Sequence, residues 1–161
     1  EENHIDLSLW RRIGNKQIDY RRDGMENKLI RVGTTYIPVR NVKESSAWYV
    51  DKLGAELSYE DEDKAIINLA NQSFFLVQAP DGESSNFIDK HGNERFSITF
   101  EVDGLEKLTE LHMELTEKNV RVGDIEDRGH PGRNFVFYDL DGHVFDVWSE
   151  LSPGFKGKYS L

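Results

Sequence analysis

Residues 137–147 read Phe-Tyr-Asp-Leu-Asp-Gly-His-Val-Phe-Asp-Val, two apolar runs on either side of an Asp-Gly pair. Such a pair between alternating apolar runs is a strong hairpin signal, because glycine accepts the positive φ of a tight turn. The stretch predicts strands over Asn134–Tyr138 and Val144–Ser149, joined by Asp139-Leu140-Asp141-Gly142. In the second strand Phe145 and Val147 share one face, while Val144, Asp146 and Trp148 share the other. With Phe145 and Val147 packed under helices, Asp146 and Trp148 look into a cavity.

Working upstream, Val120–Ile125 is a strand candidate. Leu105–Lys118 is an amphipathic helix with Leu105, Leu108, Leu111 and Leu115 at helical spacing. Phe96–Val102 alternates strictly, with Phe96, Ile98, Phe100 and Val102 on one face and Ser97, Thr99 and Glu101 on the other. The same order of elements occurs earlier. Thr34–Arg40 is a strand candidate with Ile37 and Val39 on one face and Tyr36, Pro38 and Arg40 on the other. Pro38 donates no amide hydrogen bond, which places that strand at an edge or irregular position. Asn41 is a helix cap. Residues 44–53 read as a short helix with Ala47, Trp48, Val50 and Leu53 as its apolar contacts, stopped by Gly54. Strand-like runs follow at Glu56–Asp61, Ala65–Ala70 and Ser73–Gln78. The chain thus holds two βαβββ modules, residues 33–79 and 95–150, offset by roughly 65 residues, and a repeat outweighs any single element. The expected class is α+β: one curved mixed sheet with helices on its outer face and a cavity on its inner face, within a single domain over residues 31–151.

Residues 79–95 are turn-rich and read as a linker. The Pro/Gly/Lys content of residues 152–161 reads as a C-terminal tail. Residues 1–30 read as an N-terminal extension outside the core. Composition shifts near Met25, and Met25-Glu26-Asn27-Lys28 is similar to the start of a bacterial gene, so residues 1–24 are either vector-derived or a natural addition.

Over 161 residues, 37 % are apolar and 31 % charged, and 9 Phe, 6 Tyr and 3 Trp supply the large side chains of a packed core. The net charge of −10 argues against nucleic acid and anionic membrane surfaces as partners. No cysteine is present, which excludes disulfides, thiolate metal sites and cysteine nucleophiles and fits a cytoplasmic location. No phosphate loop, dinucleotide fingerprint or serine nucleophile elbow occurs.

Trp48-Tyr49-Val50-Asp51-Lys52-Leu53-Gly54 resembles the aromatic-Tyr-x-x-x-Leu-Gly signature of the vicinal oxygen chelate superfamily. That superfamily is the group of glyoxalase I, bleomycin-resistance proteins, fosfomycin-resistance enzymes and extradiol dioxygenases. Phe137–Val147 resembles its closing hairpin, and Thr35–Asn41 resembles the first strand of its bleomycin-resistance branch. The resemblance spans residues 33–151. It implies a divalent metal in many members, held by His or Glu at four strand positions. Here the first-strand position offers Thr34, Thr35 and Tyr36. The strand closing module one, Ser73–Gln78, has neither His nor Glu. The position opening module two is Ser97, and only the last-strand position keeps a carboxylate, Asp146. A lone Asp is too few, since first-row divalent ions take about three or more N/O ligands. The expectation is therefore no family metal and no cofactor.

The residues expected around the cavity are Tyr36, Arg40, Ser97, Thr99, Glu101, Asp146 and Trp148, joined by His130 from the loop before the last hairpin. Asp146 is read either as a cation-binding or basic carboxylate or as an inherited position paired to Arg40 or Arg133. The resemblance points to a homodimeric, antibiotic-resistance-like protein of bacterial type that binds a small cationic or aromatic molecule. The alternatives are a metal-dependent glyoxalase-like lyase or dioxygenase, with His130 or His143 replacing a lost ligand, and a non-catalytic oligomerising protein.

Overall fold

Each module begins with an alternating strand and a helix, and in module one the ends of that helix are written in the sequence. The structure, a computed structural model, describes residues 28–161. The chain divides into two units, residues 1–31 and 32–161. All of the expected extension except residues 28–30 lies outside the described residues.

Strand β1 (Thr34–Val39) buries Ile37 and Val39 and leaves Tyr36 in solvent, as its alternation requires. Asn41 then takes an extended backbone and accepts a 3.0 Å hydrogen bond from the Glu44 amide through its side-chain oxygen. This cap starts α1 (Val42–Leu53) two residues before the expected 44–53. Gly54, at φ +67°, closes the helix with amide bonds back to Tyr49 and Val50. The strands β2 (Glu56–Glu60), β3 (Lys64–Leu69) and β4 (Gln72–Gln78) follow the three strand-like runs. Their sheet has the order β1-β4-β3-β2, with β1 parallel to β4, so Pro38 sits on an edge strand.

The buried face of α1 differs from the one expected. Ala47 and Val50 are exposed, and the helix buries Val42, Ser45, Ser46 and Tyr49. Those positions keep helical spacing, but two of them are serines, whose polarity hides the stripe from an apolar count. Burial is tolerated because each hydroxyl is bonded: Ser45 to Asp141 Oδ2 at 3.0 Å, Ser46 to the Lys43 carbonyl and to Glu60.

Residues 79–95 are more than a connector, for they carry a two-stranded ribbon, β5 (Phe87–Ile88) and β6 (Glu94–Arg95). Module two continues with β7 (Thr99–Glu101), α2 (Leu105–Glu117), β8 (Asn134–Tyr138) and β9 (Val144–Trp148). The order β7-β9-β8, with β7 parallel to β9, repeats the first three positions of the other sheet. The strand expected over residues 120–125 is reduced to bridges from Val122 to Phe137 and from Glu126 to Asn134. Between them the Gly123 carbonyl bonds His112 Nε2 of α2 at 2.9 Å, which takes it out of strand pairing. Leu108 and Leu115 of α2 are buried, whereas Leu105 at its first turn is exposed. The C-terminal residues form a short helix, α3 (Pro153–Tyr159).

One core serves both modules. Phe137 packs on Phe145 at 5.3 Å, Phe100 lies 5.7 Å from Phe145, and Phe74 of the first sheet reaches Phe100 at 6.1 Å. At its edge the helix of module one is tied to the turn of module two. The Tyr49 hydroxyl donates to Asp139 Oδ2 at 2.6 Å, and Asp139 Oδ1 accepts from the amides of Asp141 and His143 at 2.9 Å each. Arg40 Nε donates to Asp141 Oδ1 at 2.7 Å. Buried His143 donates from Nε2 to the Pro38 carbonyl at 2.6 Å and accepts at Nδ1 from the Ser85 amide at 3.3 Å.

Burial lifts the Asp139 carboxyl above the usual carboxylate range, against the pull of the Tyr49 hydroxyl, and pushes the Tyr49 phenol well up. A carboxyl raised on folding contributes stability that is present below its unfolded value, about 3.9, and lost as pH rises through the folded value. Asp139→Asn removes this dependence. Its stability relative to the parent therefore improves as pH rises above the ordinary aspartate range, read by urea unfolding at several pH values. Tyr49→Phe leaves a buried carboxylate oxygen short of a donor, and costs about 1–3 kcal/mol in the same measurement.

Candidate functional site

The inner face of module two gathers around Asp146. Alternation in β9 turns Phe145 and Val147 into the core and Asp146 to the opposite side, where the carboxylate is only 2 % exposed. Its neighbours in register are Thr99 on β7 and Val136 on β8. Oδ2 accepts from Thr99 Oγ1 at 3.0 Å and from Asn134 Nδ2 at 2.9 Å, and Oδ1 accepts from Arg128 Nη1 at 2.9 Å. The partner is thus neither Arg40, held by Asp141, nor Arg133, which reaches Asp127 at 3.1 Å. Arg128 comes from the loop before β8, and its Nε also donates to Glu126 Oε2 at 2.9 Å. Its guanidinium stands 5.8 Å over the Phe96 ring. Among the described residues, the side-chain oxygen of buried Asn134 has no hydrogen-bond partner.

Trp148 lies beyond this cluster. Its indole N–H donates to the Pro131 carbonyl at 2.9 Å, and the His130 ring meets it edge-on at 5.9 Å. Gly132 makes this clamp possible. At φ +82° a Cβ there would lie 2.7 Å from Trp148 Nε1 and 2.8 Å from Ser149 Oγ. Glu101 accepts from the Ser152 amide at 2.9 Å and from the Ser152 hydroxyl, fastening the start of α3. The Ser97 hydroxyl donates to the Ser85 carbonyl at 2.8 Å, so it anchors the linker.

Tyr36 belongs to the other sheet, and among the described residues no hydrogen bond or ring contact joins it to the Asp146 cluster. It is 64 % exposed and packs on Phe75 at 5.1 Å. Strand register extends that pair into a row, Tyr36–Phe75–Ile66–Tyr59, across all four strands of the sheet. The last three were missed in the sequence because their alignment depends on register, which no local pattern gives. Arg40 stands apart from both groups. It lines a cleft of about 470 Å³ between the end of β1, residues 79–86 and the turn at Asp141, together with Asp81, Glu83 and Glu94.

The donor set does not fit the divalent metal implied by the resemblance. Among the described residues no three His, Asp or Glu side chains converge on one point. Asp146, the surviving carboxylate, has both oxygens bonded, and His143 uses both ring nitrogens. No Lewis-acid step can be built from these groups.

Comparison with known proteins bears on the family and the fold. Residues 31–147 match the family model of the Glyoxalase/Bleomycin resistance protein/Dioxygenase superfamily, and the chain belongs to that superfamily. No curated protein sequence matches it. Among solved structures it is similar to lactoylglutathione lyase from Agrobacterium tumefaciens (TM-score 0.60, 15 % identity, 75 % of this chain and 94 % of that one). It is also similar to the fosfomycin resistance protein FosX from Listeria monocytogenes complexed with Mn(II) and sulfate ion (0.61, 17 %, 84 % and 99 %). A third is TnmS3, an antibiotic binding protein from Streptomyces sp. CB03234 (0.60, 18 %, 76 % and 98 %). At these identities the likeness is one of fold. Among the described residues no helix is long and apolar enough to cross a membrane.

Gly132→Ala forces a side chain into the Trp148 clamp and strains the backbone. Its expected cost is about 1–3 kcal/mol by urea unfolding, with a shift in tryptophan emission as the Pro131 hydrogen bond is lost.

Proposed function

We propose that the chain binds a small cationic or aromatic molecule without the superfamily's metal, as an antibiotic-sequestering protein does and not as a lyase or dioxygenase. The observation that carries this reading is the bonding of Asp146, the only metal-type ligand retained, to Arg128, Thr99 and Asn134. Two features support the ligand class. The row Tyr36–Phe75–Ile66–Tyr59 offers a planar molecule a stacking surface, and the net charge of −10 attracts cations. His130 and Trp148 form a second aromatic edge, with Thr99 and Glu101 at the strand beside it. A homodimer accounts for the exposed apolar row, because a partner's inner face laid over it would complete a cavity. The absence of cysteine is consistent with a cytoplasmic setting.

A melting screen against cationic aromatic antibiotics and dyes tests the reading. The expected result is a ligand-dependent rise in Tm, with Tyr36→Ala weakening the best ligand by about tenfold, the loss of one good stacking contact. Absence of binding to any of the panel at millimolar concentration overturns it. So does near-stoichiometric Mn, Fe, Ni or Zn in protein purified without chelator or a histidine tag.

A further inference from the structure

We infer that Arg128 is the resident cation of the inner face of module two: its guanidinium takes the place of a divalent ion at Asp146 and closes that position to metals. The inference rests on the metal-free reading above and explains how that reading is enforced.

The argument starts from charge. Two carboxylates of different origin meet one group: Glu126 Oε2 lies 2.9 Å from Arg128 Nε, and Asp146 Oδ1 lies 2.9 Å from Nη1. Asn134, whose Nδ2 donates to Asp146 Oδ2, keeps its side-chain oxygen buried with no hydrogen-bond partner among the described residues. Two carboxylates thus bracket one side chain. Such a set favours a cation at its centre, and Arg128 supplies it as a fixed fork. Asp146 is 2 % exposed, so an ionised carboxylate there requires an adjacent positive charge. A divalent ion entering beside the guanidinium would meet a like charge within a few ångströms in a partly dry site. It would also have to displace hydrogen bonds from Arg128, Thr99 and Asn134. The Arg128 side chain is only 27 % exposed and stands over Phe96, which holds it in place. Metal exclusion is thus built in by a residue outside the four strand positions, and not only by the missing histidines.

The test titrates MnCl2 into chelator-treated protein by calorimetry, following Mn(II) by electron paramagnetic resonance. The parent protein is expected to bind no tighter than about 1 mM. Arg128→Met keeps the stem and removes the charge, and it is expected to bind Mn(II) at about 0.1 mM, about tenfold tighter than the parent's limit. Adding Asp146→Asn to that variant abolishes the gain. Tight Mn(II) binding by the parent overturns both this inference and the metal-free reading. A folded Arg128→Met protein that gains no Mn(II) binding overturns this inference alone and leaves ligand binding standing. Should Arg128→Met not fold, methylguanidinium chloride is added to Arg128→Ala. Recovery of the melting transition that depends on Asp146 supports the resident cation, and no recovery overturns it.

Discussion

The hydrogen bond between the Tyr49 hydroxyl and the Asp139 carboxylate joins the helix of module one to the last turn of module two, and much of the molecule is organised around it. Both groups are buried, so neither can be left without a partner. Asp139 uses its other oxygen to shape the turn, by accepting from the amides of Asp141 and His143. Asp141 then receives Ser45 and Arg40, and His143 returns to Pro38 on β1. In this placement of α1 and β1 against the hairpin all of these groups are satisfied together. Two of the three motifs that carry the family resemblance, Trp48–Gly54 and Phe137–Val147, therefore meet in this contact, which docks the modules.

That docking sets what each inner face can offer. Because Phe145 and Val147 must join the Phe100 and Phe137 stack, Asp146 is turned away from the core. There it meets hydrogen-bond donors from β7, β8 and the preceding loop, and the inner face of module two closes on itself. Module one carries hydrogen bonds too, from Asn68 Nδ2 to Ser58 and from the Ser73 hydroxyl to Asn68 Oδ1, but leaves aromatic rings in solvent. Its row of Tyr36, Phe75, Ile66 and Tyr59 is part-exposed to exposed, at 64 % for Tyr36 and 46 % for Tyr59. One face commits its carboxylate to hydrogen bonds, while the other leaves aromatic rings in solvent.

Much of the fold was legible because it is written locally. The Asp-Gly hairpin, the Asn41 cap, the Gly54 stop and the alternation in β1, β7 and β9 each depend on a few neighbouring residues. The rotation of α1 was not legible, because its buried stripe includes Ser45 and Ser46, which look like solvent residues until Asp141 and Glu60 arrive. The strand expected before Asp127 reduces to two bridges because α2 competes for the Gly123 carbonyl. Of the eight residues expected around one cavity, Thr99 and Asp146 are bonded together, and His130 lies against Trp148. Glu101 fastens α3, Ser97 the linker and Arg40 the hairpin turn, while Tyr36 faces outward on the other sheet.

By itself the sequence determined the α+β class, the repeated order of strand and helix, and the faces on which the residues of β1 and β9 stand. These follow from short-range periodicity and residue chemistry, which survive without knowledge of distant contacts. Only the tertiary structure decided which partners those faces meet. Arg40 and Arg133 were the partners expected for Asp146, and the loop before β8 delivers Arg128 instead, from 18 residues away. Tyr49 could have packed as a plain aromatic, and a turn 90 residues further along supplies its carboxylate. Such pairings depend on how two modules pack around a shared core, and packing satisfies buried polar groups across distances that no local pattern records.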